Sequence, residues 1–168
     1  AELRKLIMKI SFWKVVYFGV FLVLPLVFSP VSPWVTLVGF FGMQYTLGMA
    51  TAVIFQLAHI MPENDYPLPD ENGKMDNNWA VHQMVTTTNF APKNKILSWY
   101  VGGLNFQVEH HLFPNVCHVH YRHIAKIVKE TAQEFNVPYH SIDRFREAIA
   151  EHARMLHTLG NSPTPTVA

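Results

Sequence analysis

The chain has 168 residues, which suffices for one domain, and its formal net charge is only +1 at pH 7. This balance argues against the strongly basic face typical of nucleic-acid-binding proteins, so no nucleic-acid partner is expected. Apolar residues make up 49% of the chain and are concentrated in its first sixty positions, which points to a membrane. The single cysteine, Cys117, excludes an internal disulfide and is expected to be a packed thiol rather than a ligand.

The first 28 residues predict one membrane span. Residues 1–14 carry four basic side chains among apolar ones, a pattern typical of a segment at a membrane surface or of the cytoplasmic lead into a span. The uncharged run 15–28 is shorter than the roughly 20 residues that a bilayer crossing needs. We therefore predict a span over about 10–28, with Lys14 reaching to the interface and Pro25 kinking the helix.

A second span follows a predicted turn. Two prolines within residues 29–33 predict that turn, and residues 34–58 then carry no charge, which makes them the clearest predicted transmembrane helix. Residues 1–60 are thus predicted to form a basic lead and a transmembrane hairpin. Both outer ends carry positive charges, counting Lys93 and Lys95 after the second span, so those ends are predicted to be cytoplasmic. The length of the uncharged run disfavours the alternative, a buried hairpin of a soluble all-α protein.

The residues after the hairpin, 61–160, are predicted to form a cytosolic helical cap. Residues 61–78 are rich in turn-forming residues and predict a solvated surface loop. Residues 95–106 are uncharged after Lys95 but are too short to cross a bilayer. We therefore expect them to lie at the membrane interface.

Two amphipathic helices are predicted in the second half of the cap. Apolar residues recur at helical spacing over 119–135, and again from Ser141, a predicted N-cap, to Gly160. Residues 161–168 form a predicted disordered tail. Six further histidines between residues 118 and 157 are interpreted as surface residues. The apolar face of the last helix is predicted to consist of Phe145, Ile149, His152, Leu156 and Leu159.

A pair of histidines occurs in the stretch from Gly102 to Pro114, which reads GGLNFQVEHHLFP. As a helix, this stretch places Gln107, His110 and His111 on one face, because side chains three and four residues apart are neighbours. Imidazole is a common ligand of iron, zinc and copper, so the pattern indicates a transition-metal site. The alternative is a pair of histidines on a solvated helix face.

The Gln-x-x-His-His pattern resembles the third histidine box of membrane fatty acid desaturases, especially the acyl-lipid and acyl-CoA branch with its front-end and linoleoyl-CoA-desaturase-like enzymes. Residues 79–89 are similar to a second family stretch, Trp-x-x-x-Gln-x-x-x-Thr-x-Asn. The resemblance extends over most of the chain. It implies an all-α membrane protein, in which a transmembrane helical hairpin is joined to a cytosolic helical cap bearing a histidine-box metal site.

The same resemblance implies a set of metal ligands. These are His110, His111 and His59, the lone histidine that ends the second span; otherwise His59 would lie among lipid headgroups. Gln107 stands where other branches have another histidine, and it either binds metal or hydrogen-bonds to the site. The consecutive threonines 86–88, which fall within the family stretch at 79–89, are in addition compatible with a β-strand or a helix cap. Possible ligands, or residues that orient the ligands, are Gln107, His82, Gln83, Asn89 and Asn105.

The implied activity is O₂-dependent insertion of a cis double bond into a fatty acyl chain, carried as acyl-CoA or acyl-lipid. The implied cofactor is a pair of non-haem iron ions, with electrons from cytochrome b5 or ferredoxin. The implied location is the bacterial inner membrane or the endoplasmic reticulum, with the active-site face cytoplasmic. The two earlier histidine boxes of the family are not found upstream. We therefore interpret the chain as the carboxy-terminal part of a longer protein, which is inactive alone.

Two alternatives remain open. Membrane fatty acid hydroxylases and ketolases share histidine-box chemistry and differ from desaturases in the step after the first hydrogen abstraction. A non-enzymatic membrane protein whose histidines bind zinc or a partner is the other alternative.

Overall fold

The computed structural model describes residues 2–75 and 78–161, so the predicted tail lies outside the described residues from position 162 on. The chain divides into two compact units, Ala1–Thr51 and Ala52–Ala168. The elements, in chain order, are α1 (Glu2–Phe18), a π-helical turn (Gly19–Val23), α2 (Leu24–Phe28), α3 (Pro33–His59), α4 (Trp79–Val85), β1 (Thr88–Phe90), α5 (Lys95–Tyr100), α6 (Gln107–Leu112), a 3₁₀ turn (His118–His120), α7 (Tyr121–Glu134), β2 (His140–Ile142) and α8 (Phe145–Asn161).

Among the described residues, two helical stretches are long and apolar enough to cross a membrane, Glu2–Phe28 and Pro33–His59, each of 27 residues. A helix of that length extends about 40 Å, whereas the hydrocarbon core of a bilayer is about 30 Å thick. The first stretch is longer than predicted, because residues 2–9 continue the same helix instead of forming a separate lead. Two long apolar helices joined by a short turn are therefore present where the sequence predicts them.

The first helical stretch changes its winding shortly before Pro25. Residues Gly19–Val23 form a π-helical turn, in which the N–H of Leu24 bonds to the carbonyl of Gly19, five residues back. Proline has no N–H to donate, and its ring would collide with the carbonyl of the preceding turn. A wider turn makes room for the ring, so the irregularity predicted at Pro25 occurs just upstream of it.

The first unit has almost no buried side chains. Most of its large apolar residues are exposed, for example Phe28 (77%) and Trp34 (71%), whereas Phe40 is buried. A continuous apolar surface of this kind marks contact with lipid or with other protein. Inside the unit, Gln44 Nε2 donates to Tyr17 Oη at 2.8 Å. This bond satisfies a polar pair in otherwise apolar surroundings.

The second unit contains two short parallel strands, which the all-α prediction did not include. Thr88 pairs with His140, and Phe90 pairs with Ile142. Phe90 is fully buried, and the β-branched Thr88 suits an extended backbone. The strand interpretation of the consecutive threonines is therefore the correct one for Thr88. The crossover between the two strands carries α5, α6 and α7.

Two apolar clusters form the core of the second unit. One packs the end of α3 against β1, β2 and α8, and the other packs α4 and α6 against α7. Their buried members are Leu57, Ala58, Met61, Phe90, Ile142 and Ala148 in the first cluster, and Met84, Val108, Val128 and Ala132 in the second.

The last helix differs from its prediction in its start and in its buried face. Ser141 lies in β2 instead of capping a helix, and α8 begins at Phe145. Its buried residues are Ala148 and His152, while Leu156 and Leu159 are exposed at 45% and 54%. Because residues 140–142 pair with β1 as a strand, the helix begins about one turn later than the predicted N-cap at Ser141 indicates.

Candidate metal centre

The histidine-bearing helix, α6, is short because two glycines precede it. Gly102 and Gly103 have φ of +59° and +76°, so the chain approaches α6 in a turn instead of a helix. A Cβ at Gly103 would lie 2.8 Å from the Cβ of His118, so this turn also packs against the 3₁₀ segment. The predicted helix over 102–114 is therefore confined to Gln107–Leu112.

Three of the predicted ligands lie close together in the second unit. The ring centroids of His59 and His111 are 5.1 Å apart, and those of His110 and His111 are 5.8 Å apart. His59 is the last residue of α3, whereas the other two belong to α6. All three residues are partly buried. The fold thus brings a histidine from one segment to a histidine pair more than fifty positions away.

The imidazole of His111 is oriented by Gln83. Its Nδ1 lies 2.6 Å from Gln83 Oε1. Because the amide oxygen only accepts, Nδ1 carries the proton and Nε2 keeps its lone pair. Burial, followed by the neighbouring imidazoles of His59 and His110, lowers the pKa of His111 to about 4. The ring is therefore neutral at pH 7, which is the form that binds a metal.

His110 has a different partner on α7. Its Nδ1 lies 3.3 Å from the hydroxyl of Tyr121, a buried residue at the start of that helix. Each box histidine thus has one ring nitrogen engaged by a neighbouring side chain. Contacts of this kind fix the orientation of metal-binding imidazoles.

The buried carboxyl group of Glu109 on α6 was not anticipated from the sequence. Glu109 has no solvent exposure, and it accepts hydrogen bonds from Asn89 Nδ2 and from the Tyr139 hydroxyl, both at 2.8 Å. Burial raises the pKa of Glu109, and these two bonds oppose the rise. The signal in the sequence that could have identified Glu109 is its position directly before the histidine pair.

Asn89 is the centre of this network. Besides donating to Glu109 and to Tyr139, its Oδ1 accepts the backbone N–H of Val108 at 3.0 Å. That N–H is one of the free donors in the first turn of α6. Asn89 therefore holds the start of α6 and the side chain of Glu109, and its contacts are with these groups instead of with an imidazole.

Three side chains hold the end of α3, where His59 lies. Asn64 Nδ2 donates a hydrogen bond to the carbonyl of Ala58, and the Tyr66 hydroxyl donates one to the carbonyl of His59. His152 Nδ1 donates a third to the carbonyl of Ile60. The last carbonyls of a helix lack partners within it, so these bonds fix the position of its final turn. The side chain of His152 is buried against this turn, so its predicted position on the apolar face of the last helix is confirmed and its grouping with the surface histidines is wrong.

The remaining predicted residues have mixed environments. Asn105 is fully buried and donates to Ser98 Oγ and to the carbonyl of Ala91, so it supports the turn before α6. Within the described residues, His82 Nδ1 and Gln107 Nε2 are buried and have no hydrogen-bond partner. Cys117, predicted to be packed, is exposed. Buried polar atoms without partners carry a cost, which a ligand or a further segment of protein would remove.

The donor set fits iron but is incomplete. Imidazoles suit a metal that changes its redox state, and the unpartnered atoms of His82 and Gln107 lie in the same unit. Among the described residues, however, no three or more His, Cys, Asp or Glu side chains are grouped so that they hold a metal ion by themselves. Any metal bound at His59, His110 and His111 would need ligands from elsewhere.

Comparison with known proteins agrees with the family resemblance of the sequence. Residues 1–143 match the fatty acid desaturase family. The chain is 41% identical to the sn-1 linoleoyl-lipid 6-desaturase of Synechocystis, over 89% of this chain and 42% of the relative. It is 40% identical to the acyl-lipid (8-3)-desaturase of Physcomitrium patens, over 88% of this chain and 30% of the relative. It is 43% identical to the acyl-lipid (8-3)-desaturase of Mortierella alpina, over 67% of this chain and 25% of the relative.

The chain therefore spans less than half the length of these curated relatives. No solved structure matches it. Because the family match covers residues 1–143 and includes both the apolar helices and α6, the assignment does not depend on the histidine pair alone. The chain belongs to the fatty acid desaturase family.

Proposed function

We propose that this chain takes part in O₂-dependent insertion of a cis double bond into a fatty acyl chain, as part of a membrane desaturase. In this proposal His59, His110 and His111 are ligands of a non-haem di-iron centre, and histidines outside the chain complete it. The observation that carries the proposal is the position of the His59 ring 5.1 Å from the ring of His111, which itself lies 5.8 Å from the ring of His110, in a chain of this family.

The role of the metal and the role of the protein are distinct. When bound, iron supplies the oxidation by O₂ that side chains cannot perform unaided. Gln83 keeps the His111 Nδ1 protonated, so that Nε2 is free for the metal. The hydrogen bonds among Asn89, Glu109 and Tyr139 hold α6 in place. The side chains that cap the end of α3 hold His59 in the same way.

The substrate is proposed to be an acyl-lipid instead of an acyl-CoA. The Synechocystis relative is named for a linoleoyl-lipid, and the relatives from Physcomitrium patens and Mortierella alpina are named for acyl-lipids. The electron donor is proposed to be cytochrome b5 or ferredoxin. Both suit a reaction that needs two electrons in addition to O₂.

The two long apolar helices are proposed to cross the membrane as a hairpin, with the turn at residues 29–33 outside. Their length and their exposed apolar side chains support this placement. Residues 29–33 carry no lysine or arginine, whereas Arg4, Lys5 and Lys9 lie before the first span and Lys74, Lys93 and Lys95 lie after the second, which supports a cytoplasmic position for residues 62–168. The metal centre would then lie at the cytoplasmic membrane surface.

The test uses the product of the complete gene, expressed in a host that lacks the product fatty acids. His110→Ala and His111→Ala are each expected to abolish desaturation while the protein still inserts, because each removes a metal-binding imidazole. His120→Ala is the matched control, since this exposed histidine lies on the 3₁₀ turn outside the centre, and conversion should stay near wild type. Product double bonds are measured by gas chromatography and normalised to membrane-inserted protein.

Substitutions of Gln107 provide a second test of the proposed metal site. Its side chain is fully buried with an unpartnered Nε2, so Gln107→Ala is expected to lower metal affinity or activity by roughly 10–100-fold. Gln107→His should retain more activity if the residue faces the metal. Wild-type conversion by His110→Ala, or hydroxylated fatty acids as the main product, would contradict the proposed reaction.

A further inference from the structure

A cavity next to the Gly102–Gly103 turn has the chemistry of an anion site. It has a volume of about 310 Å³ and lies between α5, the turn before α6 and the start of α7. Lys95, His118 and Arg122 line it, and Phe106 forms an apolar part of its wall. None of its lining residues, all of them within the described part of the chain, is an aspartate or glutamate.

The two permanent cations of this cavity are not neutralised. Among the described residues, neither Lys95 nor Arg122 takes part in an ion pair, whereas the nearby Lys93 lies 3.3 Å from Asp143. His118 adds a ring N–H donor, held close because Gly103 has no Cβ. Convergent cations and N–H donors without a carboxylate favour a phosphate group.

The rim of the same cavity is apolar and exposed. Trp99 and Val119 line it and are exposed at 81% and 62%, and on α5 the neighbouring Ile96 and Tyr100 are exposed at 80% and 74%. Tryptophan and tyrosine beside basic residues are typical of segments at the membrane–water interface. A soluble phosphate would gain nothing from such a rim, whereas a lipid offers a phosphate and an apolar tail together.

We propose that this cavity binds the phosphate of an anionic lipid headgroup and so seats α5 on the membrane surface. Lys95 and Arg122 contact the phosphate oxygens, His118 donates a further hydrogen bond, and Trp99 enters the acyl boundary. Phe106 lines the cavity and directly precedes Gln107, so the bound headgroup lies next to the helix that carries the histidine pair. This membrane contact does not depend on whether the bound lipid is the substrate.

The test measures lipid preference in nanodiscs. The product of the complete gene is reconstituted with mixtures of phosphatidylglycerol and phosphatidylcholine, and bound lipid is counted by native mass spectrometry. Wild type should retain phosphatidylglycerol preferentially. The Lys95→Ala/Arg122→Ala variant should lose about 30-fold in that preference, because each basic residue near an anionic surface contributes about fivefold.

A matched control removes the same charge elsewhere. Lys126→Ala/Lys129→Ala takes two exposed cations from α7 outside the cavity and should retain the wild-type preference. Lys95→Glu changes only one exposed side chain, so this variant is expected to fold even if the double variant does not. Its phosphatidylglycerol preference should also fall.

Three results would overturn the proposal. The first is an equal loss in the Lys126→Ala/Lys129→Ala control, which would indicate a general charge effect. The second is an unchanged preference in Lys95→Glu. The third is equally tight binding of soluble glycerol 3-phosphate, measured by calorimetry, which would indicate a site for a free phosphate ester instead of a lipid.

Discussion

Tyr139→Phe removes one hydroxyl group and tests whether the buried Glu109 network supports the metal centre. The phenyl ring remains, so packing changes little. The hydroxyl donates to Glu109 Oε1 and accepts from Asn89 Nδ2, both at 2.8 Å. Neither Tyr139 nor Glu109 is a proposed metal ligand. Any effect on the centre must therefore act through the position of α6.

The expected loss of stability depends on the hydrogen bonds that each partner retains. Glu109 Oε1 loses its donor in a fully buried position, and an unsatisfied buried group costs about 1–3 kcal/mol. Asn89 Nδ2 keeps Glu109 Oε2 as an acceptor, so losing its second bond adds only about 0.5–1 kcal/mol. The sum is about 2–4 kcal/mol, which for a chain of this size lowers the melting temperature by roughly 4–16 °C.

The assay is thermal unfolding of the detergent-purified chain, followed by tryptophan fluorescence. Tyr100→Phe is the matched control, because it removes the hydroxyl of a tyrosine that is 74% exposed. The control should shift the unfolding free energy by about 0.5 kcal/mol or less. In the product of the complete gene, Tyr139→Phe should also lower metal content or activity by roughly 10–100-fold. A melting temperature equal to that of Tyr100→Phe would refute the supporting role of Tyr139.

Two further predictions concern the metal content and the topology. The 168-residue chain alone should hold far less than two iron ions, because its described residues include no group of three or more potential ligands. Metal analysis after iron loading checks this prediction, and two bound iron ions per chain would contradict it. In the complete protein, an impermeant thiol reagent should label Val31→Cys, on a Cys117→Ser background, from outside the cell. The exposed Cys117 of the unaltered chain should react only after permeabilisation, and the reverse pattern would overturn the proposed orientation.

The sequence alone determined the features that depend on local composition. The absence of charge over 34–58 identified a long apolar helix, because few side chains other than apolar ones are compatible with a bilayer. The residue pattern around Gln107, His110 and His111 identified the family, because it combines unusual residue types at fixed spacing. The helical periodicity of 119–135 similarly predicted α7 within two residues at its start.

Only the tertiary structure decided how these elements support one another. The parallel pairing of β1 with β2 joins segments about fifty positions apart, and no local periodicity encodes such a pairing. The burial of Glu109 and His152 likewise depends on partners from distant segments, Asn89 and Tyr139 for the first and the end of α3 for the second. A polar residue on a helix is expected to be solvent-exposed until the groups that satisfy its hydrogen bonds are known, and the fold brings those groups to it.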